Sequence, residues 1–287
     1  MDTLPLEDQL AALEGGRAYL EHSDVTLTVV SGADARSWLH DLITADVATL
    51  EPFRTRPSLL LSPTGKIRAA FHVLGLESDV LMAQAADQPA PVGTLLAPYI
   101  LSSDVALETS PLRLFSVPGS RAIPPWISLG WRPGIHDDGV DLLVSEHDVA
   151  GTRERFAGSG FVEVDPGAVE TRRIRRGIPR FPVDLDEDSL PAEADLEQAI
   201  DFTKGCFLGQ ESVAKVRNLG HPARVVLALR TVERASVGER VLAGGDEVGL
   251  VTSAAPMDDG SAVLARVRWA AGRADLRTAS GTALRPA

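Results

Sequence analysis

The sequence predicts an α+β protein with a separate, small all-β module at its C-terminal end. In the first part of the chain, short alternating runs rich in β-branched residues are interleaved with segments of helical periodicity. After residue 223 the helical pattern stops, and short strands follow one another between Gly and Asp turns. This order is typical of helices that cover one face of a mainly antiparallel sheet.

The elements of the first part follow from hydrophobic periodicity. The predicted strands are residues 25–30, 58–61, 67–76, 80–85 and 105–108, of which the second and third form a hairpin around a Pro-Thr-Gly turn. Asp34 stands where an N-cap is favoured, because the apolar residues that follow it recur at helical spacing. Residues 92–100 predict a second helix.

The middle part shows a similar alternation of predicted strands and helices, but less clearly. The last part is predicted to be all β. The middle elements are strands at 112–117, 126–131 and 140–145 and helices at 146–156 and 167–176. The second helix is expected to end before Gly177 and Pro179, since these residues terminate helices. Further strands are predicted at 225–229, 247–252 and 262–269. We therefore expect three parts: residues 1–110, 111–222 and 223–287.

Composition excludes several classes of function. The chain has 287 residues and a formal charge of −12, which disfavours stable binding to nucleic acid or anionic lipid. Its single cysteine, Cys206, permits no intramolecular disulfide, and the six histidines match no metal-binding spacing. No apolar run is long enough to span a membrane, and no secretory signal is visible. We expect a cytoplasmic protein without a metal site.

An acidic segment follows the middle helices. Asp184, Asp186 and Asp188 alternate as at the start of a calcium loop, but Ser189 stands where that loop needs glycine. Asp195 likewise stands where it needs glutamate. The segment is predicted to be a solvated loop that pairs with nearby arginines.

A basic cluster precedes that loop within an otherwise acidic chain. Its members are Arg172, Arg173, Arg175, Arg176 and Arg180. Helical spacing puts Arg173 on the side of Val169, away from Arg172 and Arg175. Two interpretations remain open: ion pairing with the acidic loop, or a site for an anionic ligand such as a carboxylate-bearing cofactor tail.

The most informative stretch is K-G-C-F-L-G-Q-E, residues 204–211. Its glycines let the backbone approach a ligand closely. The ammonium of Lys204, or a helix that starts near Gly209, can lower the pKa of the Cys206 thiol. The alternative is a buried, inert cysteine.

This octapeptide resembles the K-G-C-[YF]-x-G-Q-E signature of the YgfZ-type folate-binding proteins. These share a superfamily with the glycine-cleavage T-protein, an aminomethyltransferase. Other stretches are similar to the same family: R-I-x-x-G-I-P from Arg173, L-P-x-E ending at Glu193, L-L-S-P-T-G-K, S-G-A-D-A, and G-x-V-T-S from Gly249. The resemblance extends over nearly the whole chain.

The resemblance implies a T-protein-like fold and a folate cofactor. Its fold is a ring of α+β subdomains with antiparallel sheets and helices around a central folate pocket, plus a small C-terminal β-barrel. It implies tetrahydrofolate as the ligand, and the candidate binding residues are Val169, Arg173, Arg175, Glu193, Gln210 and Glu211.

The resemblance also implies a role in the assembly or repair of iron–sulfur clusters in client enzymes, including radical enzymes that modify tRNA. Cys206 would be the functional thiol, and Lys204 would tune or orient it. One cysteine cannot hold a cluster alone, because clusters generally need four protein ligands. Cys206 would therefore be a shared or transient ligand.

Two departures separate the chain from the T-protein branch. Arg175 replaces the glutamate of the T-protein R-x-E motif, and Ala90 stands at the position of its catalytic aspartate. Activation of an aminomethyl group is hard to support without that carboxylate. We expect no ordinary enzyme, with a folate-dependent aminomethyltransferase or demethylase as the alternative. A tRNA-binding module that uses the arginine cluster is a third hypothesis.

Overall fold

Three β-sheets organise the part of the chain that the structure describes. This computed structural model describes residues 4–120, 124, 126–127, 130–136, 138–272 and 275–287. The helices are α1 (Leu6–Glu14), α2 (Ala35–Leu42), α3 (Val92–Leu96), α4 (Val149–Gly158), α5 (Pro166–Arg175) and α6 (Gln210–Leu219). Short 3₁₀ turns lie at Ala97–Tyr99, Glu146–Asp148, Pro191–Ala194, Leu196–Ala199 and Trp269–Ala271.

The strands follow in chain order. They are β1 (Ala18–His22), β2 (Val25–Ser31), β3 (Thr55–Leu61), β4 (Ile67–Gly75), β5 (Val80–Ala85), β6 (Ala106–Thr109), β7 (Arg113–Val117), β8 (Val140–Val144), β9 (Val162–Glu163), β10 (Arg224–Thr231), β11 (Arg240–Ala243), β12 (Asp246–Met257), β13 (Gly260–Arg268), β14 (Leu276–Thr278) and β15 (Arg285–Pro286).

A five-stranded sheet has the order β3-β4-β5-β2-β6. β2 pairs antiparallel with β5 over six residues, from Val25 opposite Ala85 to Val30 opposite Val80. Trp38 and Leu39 of α2 pack in the same buried cluster as Val30, because the apolar side of this short helix faces the sheet. The strands and the helix predicted here are confirmed.

A four-stranded sheet has the order β8-β7-β1-β9 and contains one parallel pair, β1 with β9. Its core is aromatic: the rings of Tyr19 and Phe156 stack with centroids 4.3 Å apart, and Phe115 is fully buried. Neither α1 nor β1 and β9 were predicted. Part of the predicted strand at 126–131 lies outside the described residues, and Trp131 forms only an isolated bridge with Asp141.

The C-terminal module is a six-stranded antiparallel half-barrel sheet with the order β14-β11-β12-β13-β10-β15. β12 and β13 are joined along most of their length, with a register shift between Val251 and Ser253. Leu227, Val251 and Val267 lie in one buried cluster. The predicted all-β character of this part is confirmed.

The chain divides into two compact units that are each discontinuous in sequence. Unit 1 comprises Met1–Leu60, Ala69–Val169 and Ala199–Leu208. Unit 2 comprises Leu61–Arg68, Glu170–Gln198 and Gly209–Ala287. The three-part division at residues 110 and 222 stays a prediction. Among the described residues, no helix has the length and apolar character needed to cross a membrane.

Candidate functional site

Residues 204–209 of the octapeptide form an irregular segment, and its last two residues, Gln210 and Glu211, begin α6. Gly209 has a φ of 82° and immediately precedes the helix, so a helix does start at the place that the sequence analysis considered. A Cβ at Gly209 would collide with the carbonyl oxygen of Ser62 and lie 3.0 Å from the Cβ of Leu61. Both the backbone conformation and the close approach therefore require glycine here.

The first motif glycine is in a different environment. Apart from its two chain neighbours, no described residue has an atom within 4 Å of a Cβ placed at Gly205. Cys206 beside it is an exposed, free thiol. Phe207 is only 6% exposed, and Leu208 packs against the core cluster that contains Trp38. The interpretation of Cys206 as a buried residue is therefore wrong, although Phe207 directly after it is buried.

Lys204 is bound to the C-terminal end of α2 and the residues that follow it. Its Nζ donates to the carbonyl oxygens of Ile43 (2.6 Å), Ala45 (3.0 Å) and His40. An ammonium has three N–H donors, so all three are in use and none is left to donate to Cys206. A cation at this end of a helix is also favoured by the helix dipole.

The electrostatic surroundings of Lys204 act in opposite directions. Burial lowers the pKa of Lys204 to about 8, because the half-buried ammonium has lost part of its hydration. The carboxylates of Asp46, Asp41 and Asp201 favour the charged form. Lys204 thus combines a structural hydrogen-bond set with a titration close to neutral pH.

Arg173 of α5 is saturated by partners within unit 2. Its acceptors are the Glu170 carboxylate (2.8 and 2.7 Å), the Asp184 carboxylate (2.8 Å), the Ser253 hydroxyl (3.0 Å) and the Ile178 carbonyl. These contacts account for all five N–H donors of a guanidinium. Burial opposes the charge, but Glu170 and Asp184 outweigh burial and raise the pKa of Arg173. Ion pairing with the acidic loop is therefore confirmed for Arg173.

Asp184, an acceptor of Arg173, also accepts hydrogen bonds from other residues. The residue is 1% exposed, and its carboxylate also accepts hydrogen bonds from the hydroxyls of Thr252 (2.6 Å) and Ser253 (2.7 Å). The backbone N–H of Arg180 is a further donor, at 2.9 Å. The prediction of a solvated loop is wrong at this residue, because Asp184 is a buried, fully paired charge.

The rest of the acidic loop is paired at the surface. Asp186 accepts from Arg266 Nη1 at 2.6 Å, and Asp188 accepts from Lys66 Nζ at 2.6 Å. Desolvation acts to raise the pKa of Asp186, but hydrogen bonds from Arg266 and Ser189 outweigh it and lower the pKa to about 2. Asp186 therefore pairs with an arginine, although one distant in sequence, whereas the partner of Asp188 is a lysine and not the predicted arginine.

Glu193 of the L-P-x-E stretch ties its 3₁₀ turn to the C-terminal sheet. The residue is 4% exposed, and Oε2 accepts from Arg266 Nε (3.1 Å) and Nη2 (2.9 Å). Arg224 lies 3.6 Å from the same carboxylate, and the Leu190 N–H donates to Oε1 at 3.3 Å. No sequence pattern pointed to Arg266, because a single arginine in a strand pattern does not reveal its partner.

The other predicted binding residues differ in whether their side chains already have partners within the protein. Val169 is 8% exposed and packs beside Leu13 in a core cluster of unit 1. Arg175 Nε donates to the Pro256 carbonyl at 2.8 Å. Gln210 is half-buried and Glu211 is exposed, and neither polar group has a hydrogen-bond or ion-pair partner among the residues that the structure describes. Gln210 and Glu211 therefore keep polar groups available for a ligand or partner.

The turn that contains Ala90 is organised by an amide side chain. Gln84, at the end of β5, is 3% exposed and donates from Nε2 to the Ala90 carbonyl at 2.9 Å. Its Oε1 accepts from the Val92 N–H at 2.7 Å, at the start of α3. The turn is thus held by neutral hydrogen bonds around the position that the T-protein resemblance assigns to a carboxylate.

The fold of this chain is that of a solved aminomethyltransferase. The solved glycine cleavage system aminomethyltransferase T of Bartonella henselae has the same fold, with a TM-score of 0.82 and 19% identity. That match covers 98% of this chain and 88% of the other. No protein-family model matches the chain.

Three curated proteins illustrate the similarity of this chain in sequence. An uncharacterized protein of Haemophilus influenzae is 27% identical over 84% of this chain and 85% of its own length. The aminomethyltransferase of Streptomyces coelicolor is 27% identical over 79% of this chain and 71% of its own. The mitochondrial iron-sulfur cluster assembly factor IBA57 homolog of Cryptococcus neoformans is 26% identical over 75% of this chain and 66% of its own. The similarity therefore includes both a transferase and a cluster assembly factor.

Proposed function

We propose that the protein supports the assembly or repair of iron–sulfur clusters in client enzymes, as a YgfZ-type protein. The observation that carries this proposal is the exposed thiol of Cys206 within the K-G-C-F-L-G-Q-E motif. The similarity to the IBA57 homolog supports the same class of function. Radical enzymes that modify tRNA are the proposed clients.

The thiol can act as a transient ligand to a cluster that is the cargo. Cys206 loses its proton to water, and the thiolate forms one S–Fe bond as it displaces a ligand of the cluster's donor from that iron, since soft thiolates suit iron–sulfur clusters. Clusters generally need four protein ligands, so the client must supply the remaining ones. The exposed position of Cys206 is what such sharing requires, because a second protein must reach the same iron.

We propose tetrahydrofolate as the bound cofactor, which the similarity to aminomethyltransferases supports. Arg173 and Glu193 do not fit a direct contact with folate, since their charged groups are committed to partners in unit 2. Gln210 and Glu211 fit better, because their polar groups have no hydrogen-bond or ion-pair partner among the described residues. No step of the cluster chemistry is assigned to the folate.

A folate-dependent aminomethyltransferase or demethylase is the second candidate, favoured by the fold and by the Streptomyces relative. Ala90 argues against it, because its side chain cannot transfer a proton to the leaving amine, and the carboxylate of that turn, Asp87, comes three positions earlier. Incubation with a methylamine-type donor and tetrahydrofolate should give no methylene-tetrahydrofolate. Turnover would make this candidate the primary function.

Complementation tests the cluster function. Cells that lack their own YgfZ-type protein receive the parent chain, Cys206→Ala, or the control Lys215→Met, which changes an exposed residue of α6. The readout is methylthiolation of tRNA by the iron–sulfur enzyme. We expect rescue by the parent and the control, and none by Cys206→Ala at equal expression.

Two results would contradict this proposal. Equal rescue by Cys206→Ala would remove the thiol from the function. Absence of rescue by the well-expressed parent would overturn the cluster function, and the one-carbon assay would then decide. The exposure of Cys206 predicts that its alanine variant keeps the parent's stability within about 0.5 kcal/mol, so misfolding cannot explain a loss.

A further inference from the structure

We propose that Lys204 is a positioning residue that fixes the loop displaying Cys206, and that it does not act as a hydrogen-bond partner of the thiol. The significance of this role rests on the proposed cluster function. The hydrogen-bond geometry of residues 199–208, all within unit 1, carries the inference.

The N-terminal side of the loop is anchored by Thr44 and Asp201. The Thr44 hydroxyl donates to the Ala199 carbonyl at 2.7 Å, and the Asp201 N–H donates to the Thr44 carbonyl at 2.9 Å. Asp201 Oδ1 then accepts from the N–H groups of Thr203 (2.8 Å) and Lys204 (3.2 Å). The backbone is thus fixed up to the residue before Gly205.

The Lys204 side chain extends this anchor across to α2. Its three N–H groups donate hydrogen bonds to the carbonyls of His40, Ile43 and Ala45, which lie at the end of the helix and just after it. The ammonium also lies 5.4 Å from the centre of the Phe207 ring, within the range of a cation–π contact. Lys204 precedes Cys206 in the chain, and its side chain therefore also contacts Phe207, which follows Cys206.

Gly205 and Cys206 are the exposed residues between these two anchors. Because a two-residue span with fixed ends has few conformations, the thiol is held in a defined place. Removal of the Lys204 ammonium leaves three carbonyls without their donor and frees the backbone that leads to Cys206.

A thiol-tuning role for Lys204 makes a different prediction. In that case the ammonium would stabilise the thiolate, and its removal would raise the pH at which Cys206 reacts. The charged and titratable groups around the ammonium are Asp41, Asp46, Asp201 and His40. The two roles can be separated, since positioning changes backbone protection and tuning changes the reaction's pH profile.

Amide hydrogen exchange tests the positioning directly. In Lys204→Met, the amides of Asp201, Thr203 and Lys204 should exchange at least about tenfold faster, which corresponds to the loss of about one hydrogen bond. The strands of the C-terminal sheet should keep the parent's exchange rates. Lys215→Met is the matched control. Unchanged exchange in the loop, or equal acceleration throughout the protein, would overturn the proposal.

Alkylation with iodoacetamide reports one thiol, because Cys206 is the only cysteine. The midpoint of its pH–rate profile should differ between the parent and Lys204→Met by less than about half a pH unit. A larger upward shift would assign Lys204 to tuning and overturn the proposal. If Lys204→Met does not fold, Lys204→Gln replaces it, since its amide keeps two N–H donors for the carbonyls.

Complementation connects the loop to function. Lys204→Met should reduce rescue, whereas the control Lys215→Met should rescue as well as the parent does. Full rescue by Lys204→Met would show that the function does not need the fixed loop, and it would overturn the proposal. If the parent itself fails to rescue, the proposed function fails, whereas exchange and alkylation still decide the role of Lys204.

Discussion

Replacement of Arg173 with Met should destabilise unit 2 strongly, because it leaves a buried carboxylate without its counter-ion. The side chain of Asp184 is fully buried, and that of Arg173 is 12% exposed. Removing one partner of a buried ion pair costs about 3–5 kcal/mol. The hydroxyls of Thr252 and Ser253 still donate to Asp184, so we expect the lower end of that range.

Urea and thermal unfolding of the purified protein measure this loss. Arg230→Met is the control, since Arg230 is an exposed residue of β10 and its replacement should change the free energy of unfolding by less than about 0.5 kcal/mol. In the double variant Arg173→Met/Asp184→Asn, the uncompensated charge is removed. Its loss of stability should therefore be smaller than the sum of the two single losses.

If Arg173→Met lowers the free energy of unfolding by less than about 1 kcal/mol, the reasoning is refuted, because the Arg173–Asp184 ion pair would then not stabilise the fold. The same experiment separates two roles. A residue that serves only to bind an anionic ligand would lower folate affinity and leave the free energy of unfolding of the ligand-free protein unchanged. We expect the opposite pattern for Arg173.

Two more predictions concern the motif glycines and the acidic loop. Gly209→Ala should lower the free energy of unfolding by at least about 1–2 kcal/mol, because it forces a side chain into left-handed backbone. Gly205→Ala should change the free energy of unfolding by less than about 0.5 kcal/mol. Equal effects of the two variants in urea unfolding would contradict this distinction. The pKa of Asp186 falls from 3.8 to about 2 on folding, so its contribution to stability is present above about pH 4 and is lost as the pH falls towards 2. Arg266→Gln should flatten this acid dependence in unfolding measured from pH 6 downwards, and an unchanged acid dependence would exclude the pair as its source.

The motif residues divide into two groups by what their functional groups already do. Lys204, Arg173 and Glu193 are charged residues whose donors or acceptors are used within their own unit. Cys206 and Glu211 expose groups that the fold does not require. Motif membership alone therefore does not identify a ligand contact, because a motif can retain a charge for the stability of the fold.

Local periodicity predicted many of the elements correctly. The strand predicted at 80–85 is β5, and the helix predicted at 167–176 is α5 (Pro166–Arg175). This helix ends just before Gly177, whose φ is 68°. The helix α1 was missed although Leu6, Leu10 and Leu13 recur at helical spacing, which would have identified it. β9 has only two residues, too few for any periodic signal.

Pairing between distant elements could not be predicted in the same way. β1 lies between β7 and β9, and its parallel partner β9 comes more than a hundred residues later in the chain. A strand pattern shows which face is apolar but does not name the neighbouring strand, since many partners satisfy the same alternation. The mixed sheet was therefore visible only in the structure.

By itself, the sequence determined where most helices and strands lie and which octapeptide carries the only thiol. It also identified the two glycines of that motif, but not that only Gly209 is required by the backbone. The tertiary structure decided the partners of the charges: Arg173 bonds Ser253 across 80 residues, and Arg266 bonds Glu193 across 73. The physical reason is that periodicity is a local property of the backbone, whereas a charge can pair with any opposite group that folding brings within a few ångströms.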